Sequence, residues 1–518
     1  MSQDFKFGKK ILNTLTTGMY KNAMFIYREY IQNAADAIDD AVDLGLKSPE
    51  GFQILVKIDS RRRSISVEDN GTGIPEKNVA ATLGNIGDSR KDPRKKKGFI
   101  GIGRLGGLGY CKKVIFETTC HGESVKTISE WDAESIREII YDSSVGDDAQ
   151  TVLRKTVTFR TEPCDAKSHY FKVSLCDIAE ENEELLDEKL VYQYLQMVAP
   201  TEFHYGDFPF RQKIRAFIRE KNLPELNEYE IFLNHKKIRK GYKSKLVVPG
   251  KKDSVEIKDI GTGIVEANGK VLGWYWYGIT DFSGTMEKFW QSGMRLRKGN
   301  IQIGEEDCLY QHKMWRERRG NFYFFGEVHA LDPDLIPNGR RDYFEENIHC
   351  RRFESSLKDI FDKMLDIVYA ASNVRSASGK VEKTRDEIAR LNDKIKSGSF
   401  DSTKSRNDAT KKLGELNDTF NGNVASYNKI LSKWEEKKED VVVGVAVTSI
   451  LDNAKVNTRP VKITSESSTS KPAPLATDAL TASQRKVLDI VKSVLLKKLP
   501  QEEFDFIWDE VLKKIKSV

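Results

Sequence analysis

Apolar and polar positions alternate in two kinds of block along the chain. Between residues 20 and 45 the apolar residues recur at three-to-four spacing, which predicts an amphipathic helix. QILVKID (53–59) and SISVED (64–69) alternate with period two, as strands with one buried face do, and KVIFETT (113–119) reads as another strand. Strand-rich and helix-rich pieces follow one another without a regular βαβ rhythm. Residues 1–180 are therefore expected to form an α+β sandwich, with helices on one face of a mixed sheet. Residues 181–375 repeat the mixture. YEIFLN (229–234), VLGWYWYGIT (271–280), NIQIG (300–304) and NFYFFGEVHAL (321–331) read as strands, and RFESSLKDIFDKMLDIVYAAS (352–372) reads as a helix.

The pattern changes near residue 376. KVEKTRDEIARLNDKIKSG (380–398) and KKLGELNDTFNGNVASYNKILSKWEEKKED (411–440) are polar and helix-prone, with leucines, isoleucines and aromatics one turn apart. They predict a helical hairpin or short coiled coil over 376–452, interrupted by GSFDST (398–403). VVVGVAVTSIL (441–451) reads as a strand. Residues 453–480 are rich in Ser, Thr, Pro and Ala and read as a flexible linker. Residues 481–518 read as a small helical module of two amphipathic pieces, capped by Thr481 or Ser483 and broken at Pro500.

Composition narrows the classes. A length of 518 residues predicts three or four domains. Lys and Arg total 84 against 78 Asp and Glu, and a net charge of +6 over this length is no nucleic-acid signature. Six cysteines without C-x-x-C spacing argue against a disulfide scaffold or zinc site and for a reducing compartment. No apolar run approaches the roughly 20 residues of a membrane span, and MSQDFKFGKK has no apolar leader core. A cytoplasmic protein without a membrane segment is expected.

Three segments carry candidate chemistry. In YREYIQNAADAIDDA (27–41), Glu29, Asn33 and Asp36 fall on one helical stripe, while Ile26, Ala34, Ile38 and Val42 occupy others and can face a sheet. An acid and an amide one turn apart suit a general base and a metal ligand. In VEDNGTGIP (67–75), Asp69 ends a strand and precedes Gly71, Gly73 and Ile74. Its carboxylate can accept from an exocyclic amine, and the glycines permit close backbone approach. In KKKGFIGIGRLGGLGYCKKVIFET (95–118), Gly98, Gly101 and Gly103, with Ile102 between, precede a helix-compatible run, an arrangement that binds phosphate through backbone N–H groups. The Rossmann fingerprint fails because the acid precedes the glycines. A Walker loop fails because no G-x-x-x-x-G-K-[ST] is present.

Each segment alone is weak; the three in this order resemble the N-box, G1 box and G2 box of the GHKL ATPase superfamily. REYIQNAADAIDD, LGNIGDSRK (83–91) and IGIGRLGGLGYCKKVIF are most similar to its heat-shock-protein-90 branch. The resemblance implies a Bergerat-type ATP-binding α/β sandwich with a lid over 80–98, then an α/β transducer domain, then a helical C-terminal region that it does not cover. GMRLRKGNIQIGEE (293–306) and FGEVHALDPDLIPNGRRDYFE (325–345) resemble the transducer, whose arginine reaches the γ-phosphate. Arg341 falls on that arginine, Arg340 is the neighbouring candidate, and Arg295 with Arg297 form a weaker pair. The hydroxyl that supports the adenine-reading acid in the family is replaced here by His169, or alternatively supplied by Thr156.

The implied cofactors are ATP and Mg2+. Asn33 would hold the metal, Glu29 would activate water, Arg341 would act as an arginine finger in cis, and turnover would be slow. The implied function is an ATP-gated homodimeric switch working with partner proteins, for example in a bacterial antiviral defence system. A chaperone for protein clients is one alternative. Another is a nucleic-acid clamp of MORC or mismatch-repair type, for which the basic runs 90–97, 211–221 and 235–245, with Tyr242 interleaved, are the candidate surface. A nuclease, helicase or client is expected to bind through the helical C-terminal region.

Overall fold

A computed structural model of the chain describes residues 8–12, 22–85, 103–247, 254–286, 289–461 and 474–517. It divides into two compact units, Met1–Leu365 and Asp366–Val518.

The first unit begins with helix α1 (Phe25–Asp43), followed by strands β1 (Gln53–Asp59) and β2 (Ser64–Asp69) and helix α2 (Glu76–Gly84). Strands β3 (Cys111–Thr119) and β4 (Val125–Asp132) come next, then helices α3 (Ala133–Tyr141) and α4 (Ala149–Thr156). Strands β5 (Val157–Pro163) and β6 (Tyr170–Ile178), helices α5 (Glu188–Val198) and α6 (Arg211–Glu220), and strands β7 (Glu230–Leu233) and β8 (Lys236–Lys237) complete this part. One sheet runs β5-β4-β3-β6-β2-β1-β7-β8, and only the β1–β7 pairing is parallel. The expected sandwich is present, and YEIFLN joins it as β7 rather than belonging to the second sheet. The free side of β1 pairs with Glu230–Leu233, which satisfies backbone groups that would otherwise form an open edge.

Helix α1 lies on this sheet through Ile26, Ala34 and Ile38, each at most 4% exposed. Alanines at two turns let the helix approach closely. Val42, expected on the sheet side, is 56% exposed, because the helix ends at Asp43 beyond the covered surface. Each fully covered isoleucine contributes about 1.5–3 kcal/mol. The opposite stripe of α1 is also buried, and it carries Glu29, Gln32 and Asp36. Polar groups buried on a helix face need partners, and these supply the site described below.

A second sheet follows: β9 (Asp259–Ala267), β10 (Lys270–Ile279), β11 (Gly293–Lys298), β12 (Ile301–Ile303) and β13 (Phe325–Ala330), in the order β9-β10-β13-β11-β12. Every residue of β10 from Leu272 to Ile279 is buried, which explains its unbroken apolar run. Within this region Glu327, fully buried, accepts from Lys240 at 2.7 Å and pairs with Arg297 at 2.5 Å. His329 stands 3.0 Å from the same carboxylate and stacks on Trp274.

Helix α7 (Ile348–Ser397) is continuous over 50 residues. In the second unit its C-terminal part packs through Ala377, Val381 and Ile388 on α8 (Thr403–Glu435). The buried residues of α8 are Leu413, Phe420, Tyr427 and Trp434, spaced by sevens, which is the seam of a coiled coil. Residues 441–451 are not a strand. Gly444–Asn453 is helix α9, which buries Ala446, Val447 and Leu451 at helical spacing. Asp440 accepts the Val442 and Val443 amides in the turn that precedes the helix, and this turn together with packing overrides the β-propensity of the valines. The described ends of 453–480 are anchored: Val456 and Val461 pack on the coiled coil, and the Ala476 amide donates to the Phe400 carbonyl. Thr481 forms a capping box with Gln484 and opens α10 (Ala482–Lys498). Pro500 separates it from α11 (Gln501–Ser517). No helix among the described residues is long and apolar enough to cross a membrane.

Candidate active site

Asp69, at the end of β2, is 3% exposed and opposite Phe171 in the sheet. Its Oδ1 accepts the Gly71 amide at 2.9 Å, which turns the chain back toward α1. There the Thr72 amide donates to the Ala37 carbonyl at 3.2 Å. Gly73 has φ +65°, and a Cβ there would overlap the Thr119 carbonyl oxygen, so both conformation and space require glycine. The half-buried Ile74 follows, its amide donating to Thr118 Oγ1 at 2.9 Å, while that hydroxyl donates to the Tyr170 carbonyl at 2.8 Å.

The Thr118 hydroxyl thus braces the Ile74 end of the Asp69 loop. Thr156 bonds the Val152 carbonyl within its own helix, beside the edge strand. His169 does reach the loop, with Nδ1 2.6 Å from the Gly71 carbonyl oxygen, and so contributes to its shape.

Glu29 is 3% exposed on α1, and its Oε1 lies 3.2 Å from Arg341 Nε. Apart from that ion pair, Glu29 Oε1 has no hydrogen-bond partner among the described residues. A Cβ on Gly103 would overlap Glu29 Oε2, so the glycine leaves the carboxylate its place. Asn33, one turn on, is half-exposed, whereas Asp36 is buried at 1% exposure. Gly98, Gly101 and Ile102, and the lid beyond Asn85, lie outside the described residues. Gly103–Gly109 is a 3-10 segment rather than an α-helix. Glycines at Gly106, Gly107 and Gly109 explain the difference, since glycine disfavours α-helix interiors. Any anion contact there therefore falls to individual N–H groups rather than to a long helix dipole.

The arginine candidates separate cleanly. Arg341 is 4% exposed and has φ +54°, an uncommon conformation held by the Asn338–Arg341 turn and by the Gly304 amide, which donates to the Arg341 carbonyl at 2.9 Å. Arg340 is exposed. Arg295 donates to Gln302 and Trp290, and Arg297 is locked in the Glu327 network, so both serve the core of the second sheet.

Three contributors besides Thr118 were not singled out in the sequence. Arg28, next to Glu29, donates to the carbonyls of Gly304 and Arg341 at 3.3 and 3.4 Å and so joins α1 to the Arg341 turn. Tyr30 Oη accepts the Gly107 amide at 3.2 Å and steadies the glycine segment. Arg104 follows Gly103 and donates to the Asn85 carbonyl, where the described part of the chain before the lid ends; burial pulls its guanidinium down to about 10, still charged at neutral pH. A cation inside the glycine run was the available signal for Arg104. Nothing in the sequence singled out Arg28 or Tyr30, whose roles depend on contacts far along the chain.

Of the basic runs, 90–97 lies outside the described residues, and 211–221 and 235–245 are largely engaged internally. Lys240 and Tyr242 are fully buried. Lys213 pairs with Asp259, Arg215 with Glu228, Lys237 with Glu230, and Arg239 with Glu202.

Comparison with known proteins bears on this geometry. Residues 23–145 match the family model described as histidine kinase-, DNA gyrase B-, and HSP90-like ATPase. The chaperone protein HtpG of Rickettsia prowazekii is 30% identical over 166 residues, covering 28% of this chain and 26% of the relative. HtpG of Alcanivorax borkumensis is 26% identical over 163 residues, with the same coverage of both chains. The chain thus spans about a quarter of the length of these curated relatives. The match encloses α1, the Asp69 loop and the Gly103 segment, and through them this chain carries a GHKL ATPase domain of the HSP90-like kind.

Proposed function

We propose that this chain binds ATP between α1, the Asp69 loop and the Gly103 segment, and hydrolyses it slowly. One observation carries the reading: Glu29 of α1, Gly103 of the glycine segment and Arg341, more than 300 residues further on, converge on one carboxylate.

Asp69, with one oxygen held by the Gly71 amide, accepts the exocyclic amine of adenine with its other oxygen. Gly73, Ile74 and Thr118 hold that edge of the pocket in place. Magnesium, held by Asn33 and the phosphates, would neutralise charge on the transferring phosphoryl group. The half-exposed amide of Asn33 and the buried carboxylate of Glu29 fit such a polar site. Glu29 orients the attacking water and takes its proton. Arg341 stabilises the charge gathering on the phosphoryl oxygens, and Arg28 positions it by holding its carbonyl. Opening and closing of this assembly makes a nucleotide-gated switch, working as a dimer and with partner proteins.

The relatives named as chaperones support a protein client over a nucleic acid. So does the internal pairing of Lys213, Arg215, Lys237 and Arg239 within the described runs 211–221 and 235–245. No described residue speaks for an antiviral role in particular.

ATP turnover and binding of a fluorescent ATP analogue test the reading together. Glu29→Gln should bind with near wild-type affinity and turn over at least a hundredfold more slowly. Asp69→Asn should lose binding. Wild-type turnover by Glu29→Gln would overturn the base assignment.

A further inference from the structure

Helix α10 is apolar on two faces but covered on one. Its inner side places Leu488, Leu495 and Leu499 against Phe504, Trp508 and Leu512. Its outer side presents Val487, Ile490, Val491 and Val494, which are 61, 62, 40 and 51% exposed. Their spacing of three, four and seven aligns them in one stripe two turns long. No residue of this 17-residue helix is buried. A helix that only closed a hairpin would carry polar residues on its outer side. Four adjacent aliphatics in water form a contiguous patch of the kind that marks an interaction surface.

Charge identifies the occupant. The cations facing the hairpin's own unit are engaged: Lys492 pairs with Asp401, and Arg485 donates to the Thr477 carbonyl. Lys486 and Lys497, eleven residues apart and so on one edge of the stripe, are exposed and have no ion-pair partner among the described residues. Lys498, near the stripe's C-terminal end, is exposed and unpaired in the same sense. We infer that the outer stripe of α10 docks an amphipathic helix of a partner protein whose apolar face is edged by Asp and Glu.

Two other occupants fit less well. A second copy packed antiparallel on the same stripe would bring Lys486 of one chain to Lys497 of the other, a like-charge juxtaposition. An anionic membrane would meet an apolar stripe without an aromatic residue, beside a helix α11 that starts with Glu502, Glu503 and Asp505. The inference deepens the partner reading above. It is independent of the ATPase reading, because binding is measured without nucleotide.

The test uses the full chain and fluorescence anisotropy with three synthetic 18-residue peptides. One is a helix with a leucine stripe edged by Glu, one the same stripe edged by Lys, and one a scramble of the first. The Glu-edged peptide should bind at least tenfold more tightly than the other two. Ile490→Asp with Val491→Asp should abolish this binding while leaving ATP-analogue binding and helical content unchanged. Lys486→Glu with Lys497→Glu should reverse the preference toward the Lys-edged peptide. Equal binding of all three peptides, no binding of any, or indifference to the charge reversal would overturn the inference. So would a dimer, seen by light scattering, that Ile490→Asp dissolves, or equal loss of binding to vesicles of phosphatidylglycerol and phosphatidylcholine in that variant.

Discussion

Removing either partner of the Glu29–Arg341 pair is the most direct perturbation of the site. Both side chains are at most 5% exposed, and Nε lies 3.2 Å from Oε1. At an effective dielectric constant of about 20, two unit charges at 3.2 Å attract by about 5 kcal/mol. Desolvation offsets much of this, so the intact pair contributes less than that figure. Breaking such a pair from one side leaves a buried charge uncompensated and costs about 3–5 kcal/mol. Glu29→Gln and Arg341→Met should each therefore lower the local unfolding free energy of α1 by roughly that amount. The double variant should cost less than the sum of the two, with a coupling of roughly 2–3 kcal/mol. Hydrogen-exchange mass spectrometry over 25–43 reads the quantity for all four proteins. Additive effects, with coupling under about 0.5 kcal/mol, would show that the Glu29 and Arg341 side chains act separately and would refute their energetic link.

Other expectations concern single features. Arg341→Ala should reduce ATP turnover by at least a hundredfold with little change in nucleotide affinity, whereas the exposed Arg340→Ala should leave both within twofold; steady-state kinetics distinguishes them. Gly73→Ala meets the Thr119 backbone and a left-handed φ, and should cost about 2–4 kcal/mol and abolish analogue binding, read by urea unfolding and anisotropy. Burial holds His329 at about 4, below its ordinary 6.5, although Glu327 acts to raise it. The unfolded chain then takes up the proton first, so the stability from this neutral histidine is complete above about pH 6.5 and is lost as the pH falls toward 4, on the order of 3 kcal/mol in all. His329→Phe should flatten the stability profile across that window, and parallel profiles for the two proteins would contradict the assignment.

Local pattern carried much of this protein. The strand patterns became β1, β2 and β3, the Thr481 capping signal became a capping box, and the three-to-four spacing in 411–440 became helix α8. Glu29, Asp69 and Gly73 were visible because each needs a particular residue type at a particular place, and the physical reason lies within a few residues of it. The valines of 441–451 misled for a related reason: β-branching states a preference, while the turn at Asp440 and packing on α8 decide the outcome.

What the chain alone determined was therefore short-range content: most of its helix and strand segments, and a set of acids and glycines that matches one family pattern. Tertiary structure decided every matter of distance. It put Arg341 rather than Arg340, Arg295 or Arg297 against Glu29, brought both Thr118 and His169 to the Asp69 loop, and buried Lys240 and Tyr242 in the core. Residues hundreds of positions apart meet only because two sheets and a shared core hold them there, and no periodicity in a linear chain encodes that proximity.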